Sequence, residues 1–405
     1  MVLKFLPKEA KKVFKPMNNL IAEIQSYPFE RLRKLITPKK APEEINLSIG
    51  EPKHPASQKI LDAINQNKEL FSHYPPMAMV PELKKSYQNY LANNFELKDI
   101  KDEEIFLVGG TREGTFSAIQ TMVNREAVSK KPYVCMPNPY YQIYGGATLF
   151  AGAKPYFLNC SEENNFQIDL ENVDQAIWEQ CQLLVLCSPS NPTGKVMSKD
   201  ELCKVVKLSK EFGFKVLSDE CYIDIYFGEK PTSLLEAAME VNGSLENVLA
   251  LHSLSKRSNL PGFRSGCVTG DANIISAFSK YRMFHGVSVP LPIQNASTLA
   301  WADDKIVEDN RAAYAEKFKL AEEILDKDSL TPDGAFYLWL KVSDAEAFTK
   351  KLYDEELVIV LPGKYLGAED NGQNPAEQYL RIALVHDIES TSKALKSIKK
   401  VLDNE

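Results

Sequence analysis

Between about residues 55 and 300 the chain repeats one theme, a short apolar run, a turn, and then a segment of helical periodicity. "EIFLVGG" at 104–110 reads as a strand running into a glycine turn, with a helix from Thr111, and further apolar runs fall at 132–136, 183–187, 214–218, 247–251 and 266–269. Helical spacing is plain over 81–95, where Leu83, Tyr87, Tyr90, Leu91 and Phe95 recur at one-turn intervals. Strands alternating with helices predict an α/β fold, a mainly parallel sheet covered by helices on both faces.

Past residue 302 the pattern changes. A long polar helix over roughly 302–327 leads into "GAFYLWLKV", "LVIVLP" and "YLRIALV", with helices between and a last one near 388–403. That reads as a smaller α+β unit. Residues 17–51 show no strand–helix rhythm. The expected organisation is an arm at 1–16, a first part of the small domain at 17–54, a large domain at 55–302 and the rest of the small domain at 303–405.

Composition narrows the function classes. Hydrophobic residues make up 44% and charged residues 25% of the 405 residues, as in soluble globular proteins. The net charge of −7 argues against nucleic acid as the main partner. No run approaches the roughly 18 apolar residues of a membrane span. The seven cysteines are odd in number, form no Cys-x-x-Cys pair and lie mostly in apolar runs, which suits a reducing, cytoplasmic compartment. "MVLKFLPKEAKKVFKP" carries five lysines and no apolar core, so it reads as a solvated arm or an upstream start before Met17.

In a parallel sheet the ligand site lies where strands end and loops turn into helices. "VGGTREG" (108–114) has the glycines and helix start that cradle an anion, though a plain tight turn has the same composition. "PNPYYQIY" (137–144) supplies tyrosines able to stack on a flat ring or simply to pack under a loop. In "CSPSNPTG" (187–194), Asn191 offers an amide from a rigid turn, as an ordinary Asn-Pro turn also does. "VLSDECY" (216–222) ends a strand on Asp219, which is either one of a surface Asp-Glu pair or a buried carboxylate that needs a cation such as a protonated pyridine nitrogen. Tyr222 stands three residues on.

"SLSKRSNLPGFRSG" (253–266) sets Lys256 beside Ser253 and Ser255, with Arg264 eight residues later. A lysine that binds an aldehyde needs a shielded amine of lowered pKa, and hydroxyls with an arginine fork suit a phosphate dianion. Together these are the parts required by pyridoxal 5′-phosphate: an amine for the aldehyde, a carboxylate for the ring nitrogen, donors for the phenolate, a stacking ring and a phosphate cup. Lys256 is then placed to move a proton at the substrate's α-carbon.

From about Met17 onward these motifs resemble the class I/II, fold-type I aminotransferases. The resemblance implies that Lys256 binds the cofactor's aldehyde, Asp219 pairs with its ring nitrogen, and Asn191 and Tyr222 bind its O3′. It further implies that Tyr141 stacks on the ring. By the same resemblance Thr111 and Arg112 would give backbone N–H groups to the phosphate, with Ser253, Ser255 and Arg264 as side-chain candidates. Tyr74 matches a tyrosine that reaches the phosphate from the neighbouring subunit of a homodimer, although the family usually has Gly and Arg where this chain has Met79 and Lys84. Arg381 in "QYLRIALV" and Gly50 in "LSIGEP" match the positions that hold the substrate's α-carboxylate.

Three blocks, "YPFERLR", "LSIGEPKHP" and "SLSKRSNLPGFRSG", resemble the N-succinyldiaminopimelate aminotransferases of bacterial lysine biosynthesis. That implies conversion of N-succinyl-2-amino-6-oxopimelate and L-glutamate to N-succinyl-LL-2,6-diaminopimelate and 2-oxoglutarate. Substrates with several carboxylates call for a further cation, and Arg257, Arg282 and Lys364 are the candidates. His54 and His285 receive no role. Aspartate, aromatic amino acids or kynurenine would be served by the same cofactor apparatus. A carbon–sulfur lyase shares it too, while a DNA-binding regulator would need more than sixteen lysine-rich residues.

Overall fold

The structure, a computed structural model, describes residues 18–404 apart from 25, 38, 40, 127–129, 327–330 and 371. The arm expected at 1–16, with Met17, lies outside the described residues. Seven strands form the main sheet: β1 (Ile105–Val108), β2 (Tyr133–Asn138), β3 (Lys154–Asn159), β4 (Cys181–Cys187), β5 (Lys215–Asp219), β6 (Val248–Ser253) and β7 (Gly266–Gly270). Their order across the sheet is β1-β7-β6-β5-β4-β2-β3. All pairings are parallel except those of β7, which runs antiparallel to β1 and β6. This is the mainly parallel α/β architecture that the alternating pattern predicts.

The central strands are apolar on both faces because both faces are covered. Leu184, Leu186, Val216, Val248 and Ala250 point into one core, and Leu183, Val185, Leu217, Leu249 and Leu251 into the other, following the two-residue period of a strand. β3 escaped the sequence reading. It is an edge strand that opens on Lys154–Pro155 and is only partly buried, so its apolar signal is weak.

The C-terminal part builds a three-stranded antiparallel sheet in which Tyr379–Ala383 lies between Leu361–Pro362 and Tyr337–Lys341. Helices Asp304–Leu325, Ala345–Glu356 and Ile388–Leu402 accompany it, and Phe318, Leu338, Leu380 and Ile398 share its core. Residues 18–51, without rhythm in the sequence, contribute helix Pro28–Leu35 and the two-residue strand Ile45–Asn46, which pairs in parallel with Val358–Ile359. A strand that short carries no period to read.

A buried polar network stands behind the ends of β5 and β6. The Glu220 carboxylate accepts from Ser233 Oγ at 2.7 Å and from the Leu234 N–H at 2.8 Å, and lies 2.9 Å from His252 Nε2. His252 Nδ1 in turn lies 2.7 Å from the Tyr87 hydroxyl. Both Glu220 and His252 are almost wholly buried, so the Asp219–Glu220 dipeptide is no surface pair. Glu220→Ala leaves these partners unsatisfied inside the protein. It is expected to lower the free energy of unfolding by about 3–5 kcal/mol in urea titrations, and a loss under about 1 kcal/mol would show that the network contributes little.

Candidate active site

The carboxyl ends of β1, β2, β4, β5 and β6 share one edge of the sheet. β7 runs the other way, so its first residue, Gly266, lies at that edge too, paired with both Val108 and Ser253. Arg264, two residues earlier, is thereby delivered beside the end of β1. Gly110 makes room for it. This residue has φ +91°, and a Cβ there would overlap the Arg264 guanidinium, so glycine is required both for conformation and for close approach.

A cavity of about 490 Å³ opens at this edge. It is lined by Thr111 and Arg112 after β1, Tyr141 after β2 and Asn191 after β4. Asp219 and Tyr222 come from the end of β5, and Ser253, Ser255 and Lys256 from the end of β6. Arg264 completes this set, and Gly50 and Arg381 line the cavity as well. Tyr74 is the exception among the candidates. It is fully exposed at 102% and does not line the cavity.

The Asp219 carboxylate is 3% exposed. It accepts from the Tyr144 hydroxyl at 3.0 Å and from the Cys221 N–H at 3.3 Å. Burial pushes its pKa above the ordinary carboxylate value, and those hydrogen bonds only partly oppose the shift. No cation pairs with it among the described residues. Lys256 is the opposite case. Desolvation lowers its ammonium to about 8, with Arg381 and Arg264 contributing in the same direction. Its Nζ donates to the Gly50 carbonyl. A Cβ on Gly50 would strike the Tyr337 ring, so only glycine brings the backbone this close.

Arg381 lies in the middle strand of the small sheet, where packing fixes its fork. It donates to Asn191 Oδ1 at 2.9 Å and to the Ser48 carbonyl at 2.7 Å, while its buried Nε has no partner. Tyr222 and Tyr337 share a hydroxyl contact of 2.7 Å, and burial raises both phenols, so they stay protonated. Ser253 Oγ accepts from the Ser255 N–H at 3.1 Å, which caps the single turn Leu254–Arg257.

The three cations suggested for a second carboxylate are engaged elsewhere. Arg257 is buried with Asp304 at 2.8 Å and Asp224 at 3.5 Å, Arg282 pairs with Glu113, and Lys364 pairs with Glu346 and Glu377. His54 contacts Asn310 and Lys317, and His285 contacts Ser117, also outside the cavity. Lys84, at one departure from the family pattern, pairs with Asp102 at 2.9 Å, and Met79 is buried.

Sequence reading gave no role to Tyr337 or Tyr27 and set Tyr144 only among the tyrosines of "PNPYYQIY". Tyr144 had a signal, since it stands three residues after Tyr141 and thus one helical turn away. Tyr337 and Tyr27 carried no local signal for this site, because they reach the cavity from strand Tyr337–Lys341 and from the residue before helix Pro28–Leu35, both distant in sequence.

Pyridoxal phosphate fits this donor set. A buried carboxylate without a cation matches a protonated ring nitrogen, and a half-buried amine of lowered pKa matches an aldehyde. The start of helix Thr111–Met122, Ser253, Ser255 and Arg264 offer anion donors in the same cavity. Fold and site together define a pyridoxal-phosphate-dependent enzyme of fold type I. The profile of the family "Aminotransferase class I and II" matches residues 42–398. The chain belongs to that family, whose members depend on pyridoxal phosphate. It is similar to a solved aminotransferase from Neisseria meningitidis, with 40% identity and a TM-score of 0.89 over 95% of this chain and 100% of that one. The LL-diaminopimelate aminotransferase of Natranaerobius thermophilus is 30% identical over 94% of this chain and 97% of its own length. The aspartate aminotransferase of Pyrococcus abyssi is 27% identical, over 88% and 91%. Among the described residues no helix is long and apolar enough to cross a membrane.

Proposed function

We propose that this aminotransferase acts on the diaminopimelate skeleton, converting N-succinyl-2-amino-6-oxopimelate and L-glutamate to N-succinyl-LL-2,6-diaminopimelate and 2-oxoglutarate. The observation that carries transamination is the convergence of Lys256, Asp219, Arg264 and Arg381 on one cavity. The three sequence blocks that resemble the succinyldiaminopimelate enzymes support the substrate. The relative named LL-diaminopimelate aminotransferase supports a second reading, with the free rather than the succinylated diamine. The aspartate aminotransferase relative keeps aspartate as the alternative donor.

Bound pyridoxal phosphate supplies a carrier for the amino group and a sink for the electron pair left on the substrate's α-carbon. Arg381 holds the substrate's α-carboxylate in its fork, steadied by Asn191 and the Ser48 carbonyl. That grip turns the α-hydrogen toward Lys256. The Lys256 amine, neutral once above about pH 8, takes and returns the proton at this carbon. Asp219 would hold a proton on the ring nitrogen, with Tyr144 fixing the carboxylate's orientation. Tyr222 and Asn191 would donate toward the ring oxygen, Tyr141 would cover a ring face, and the backbone N–H groups of Thr111 and Arg112 with Ser253, Ser255 and Arg264 would hold the phosphate.

The division into a large unit at 55–302 and a smaller one at 17–54 with 303–405 belongs to the same proposal, supported by the pairing of Ile45–Asn46 with Val358–Ile359. So does a homodimer in which Tyr74 reaches the neighbouring site, supported by its full exposure together with Phe71, Met283, Phe284 and Val287. A cytoplasmic location is supported by the seven cysteines.

The test is a set of half-reactions. Holoenzyme is mixed separately with N-succinyl-LL-diaminopimelate, LL-diaminopimelate, glutamate and aspartate while the cofactor's absorbance is followed. Fast conversion with the succinylated diamine and glutamate is expected, with the other two at least about tenfold slower, the scale of a modest pocket preference. Faster conversion by free LL-diaminopimelate transfers the assignment to the second reading, and a preference for aspartate removes both.

A further inference from the structure

We infer that Arg112 is the residue that selects dicarboxylic substrates, by binding the carboxylate farther from the reacting carbon. The inference rests on the transaminase reading of the cavity but not on which dicarboxylic acid is used. The cavity holds three guanidinium groups, of Arg112, Arg264 and Arg381. Arg381 is fixed in the small sheet beside Asn191, and Arg264 is seated against Gly110 at the start of helix Thr111–Met122. Those two positions suit the α-carboxylate and the phosphate.

Arg112 stands on the second residue of the same helix, but its side chain is directed elsewhere. Its Nε donates to the Tyr141 hydroxyl at 2.7 Å and one terminal nitrogen donates to the Tyr27 hydroxyl at 2.9 Å. No carboxylate pairs with it among the described residues. A guanidinium has five N–H donors, and two hydroxyl acceptors leave the remainder for a ligand. The contrast with Arg257, Arg282 and Lys364 is direct, since each of those is neutralised by acidic side chains. With Arg381 and Arg264 assigned to the α-carboxylate and the phosphate, Arg112 is the remaining cavity guanidinium without an acidic partner among the described residues, as the substrate chemistry calls for. Tyr141 and Tyr27 approach it from two different elements, the loop after β2 and the residue before helix Pro28–Leu35. Both tyrosines also line the cavity, so they hold the fork at its wall, facing a ligand in the same space as Arg381.

The experiment compares two five-carbon ligands on the holoenzyme. Glutarate and valerate each present one carboxylate to Arg381, and only glutarate has a second. Their dissociation constants are measured by calorimetry for the wild type, Arg112→Ala and Arg112→Lys, and the dissociation constant of pyridoxal phosphate is measured for each apoprotein. Wild type is expected to prefer glutarate. Arg112→Ala is expected to reduce that preference about 10- to 100-fold, the range of a hydrogen bond to a charged group, and Arg112→Lys to restore part of it. An unchanged glutarate-to-valerate ratio overturns the inference, as does a wild type with no preference for glutarate. A loss confined to cofactor affinity overturns it as well, because it would place the guanidinium on the phosphate. If the ratio falls as expected while the succinylated diamine is not converted, the inference stands and the substrate proposed above fails. The reverse outcome leaves the substrate and removes Arg112.

Discussion

Lys256→Ala is expected to abolish transamination, by about 10⁴-fold in kcat, while the protein remains folded and still binds pyridoxal phosphate through the other donors of the cavity. Proton transfer by a positioned group contributes up to about that factor, and no second amine lines the cavity among the described residues. The lysine is also a cost to the apoprotein. Its pKa falls from 10.5 in the free side chain to about 8 in the cavity, chiefly through desolvation. Below about pH 8 it is protonated in both folded and unfolded states, and the cost of keeping that charge from water is fully present. Between about 8 and 10.5 the folded form has released its proton while the unfolded form retains it, so this group makes stability rise with pH. Lys256→Ala removes the cost, and apoprotein melting at pH 7 should therefore not fall. Wild-type apoprotein should capture pyridoxal phosphate faster as pH rises through about 8, since only the neutral amine attacks the aldehyde. Retained turnover in the alanine variant, or a capture rate flat from pH 7 to 9, would remove Lys256 from the centre of the mechanism.

The second large effect belongs to Asp219. Asp219→Asn is expected to lower kcat about 10²- to 10³-fold, the usual loss when one preorganised electrostatic group is removed, because a neutral amide cannot hold a proton on the ring nitrogen. The same change should not destabilise the apoprotein at neutral pH. Burial raises the folded pKa of this carboxyl above its unfolded value. Below the unfolded value both states are protonated and nothing is lost. As pH rises from there toward the folded value, the unfolded state ionises more readily, so stability declines and the full penalty is reached above the folded pKa. Asparagine has no such penalty. Melting temperatures of wild-type and variant apoprotein should therefore diverge in favour of the variant between pH 4 and 7. A variant that turns over at wild-type rate, or whose apoprotein melts well below wild type at pH 7, would make Asp219 a structural carboxylate.

These two residues are legible in the sequence because the signals that mark them are local. Asp219 closes an apolar strand, and Lys256 sits three residues past another, between hydroxyls and ahead of an arginine at fixed spacing. In a parallel sheet, strand ends are ligand positions, so a motif at a strand end carries its own address. Arg112 shows the limit of that reasoning. Its sequence context marks a helix start and hence a backbone N–H, whereas its side chain is turned toward Tyr141 and Tyr27 by contacts spanning 29 and 85 residues. Arg257 shows it from the other side, since nothing in "SKRSNL" announces that Asp224 and Asp304 will neutralise it.

The sequence by itself determined the alternation of strands and helices, the glycine turn before Thr111, and the spacing of Ser253, Lys256 and Arg264. Each depends on residues within a few turns of one another, where periodicity and local chemistry act. Only the tertiary structure decided that β7 runs antiparallel and so delivers Arg264 beside Gly110. It alone set Arg381 against Asn191, 190 residues away, and gave Arg257 and Arg282 carboxylate partners while leaving Arg112 without one among the described residues. Those outcomes come from strand pairing and from contacts between elements far apart in the sequence. The partners met there are chosen by shape and burial over the whole chain, and no local pattern records them.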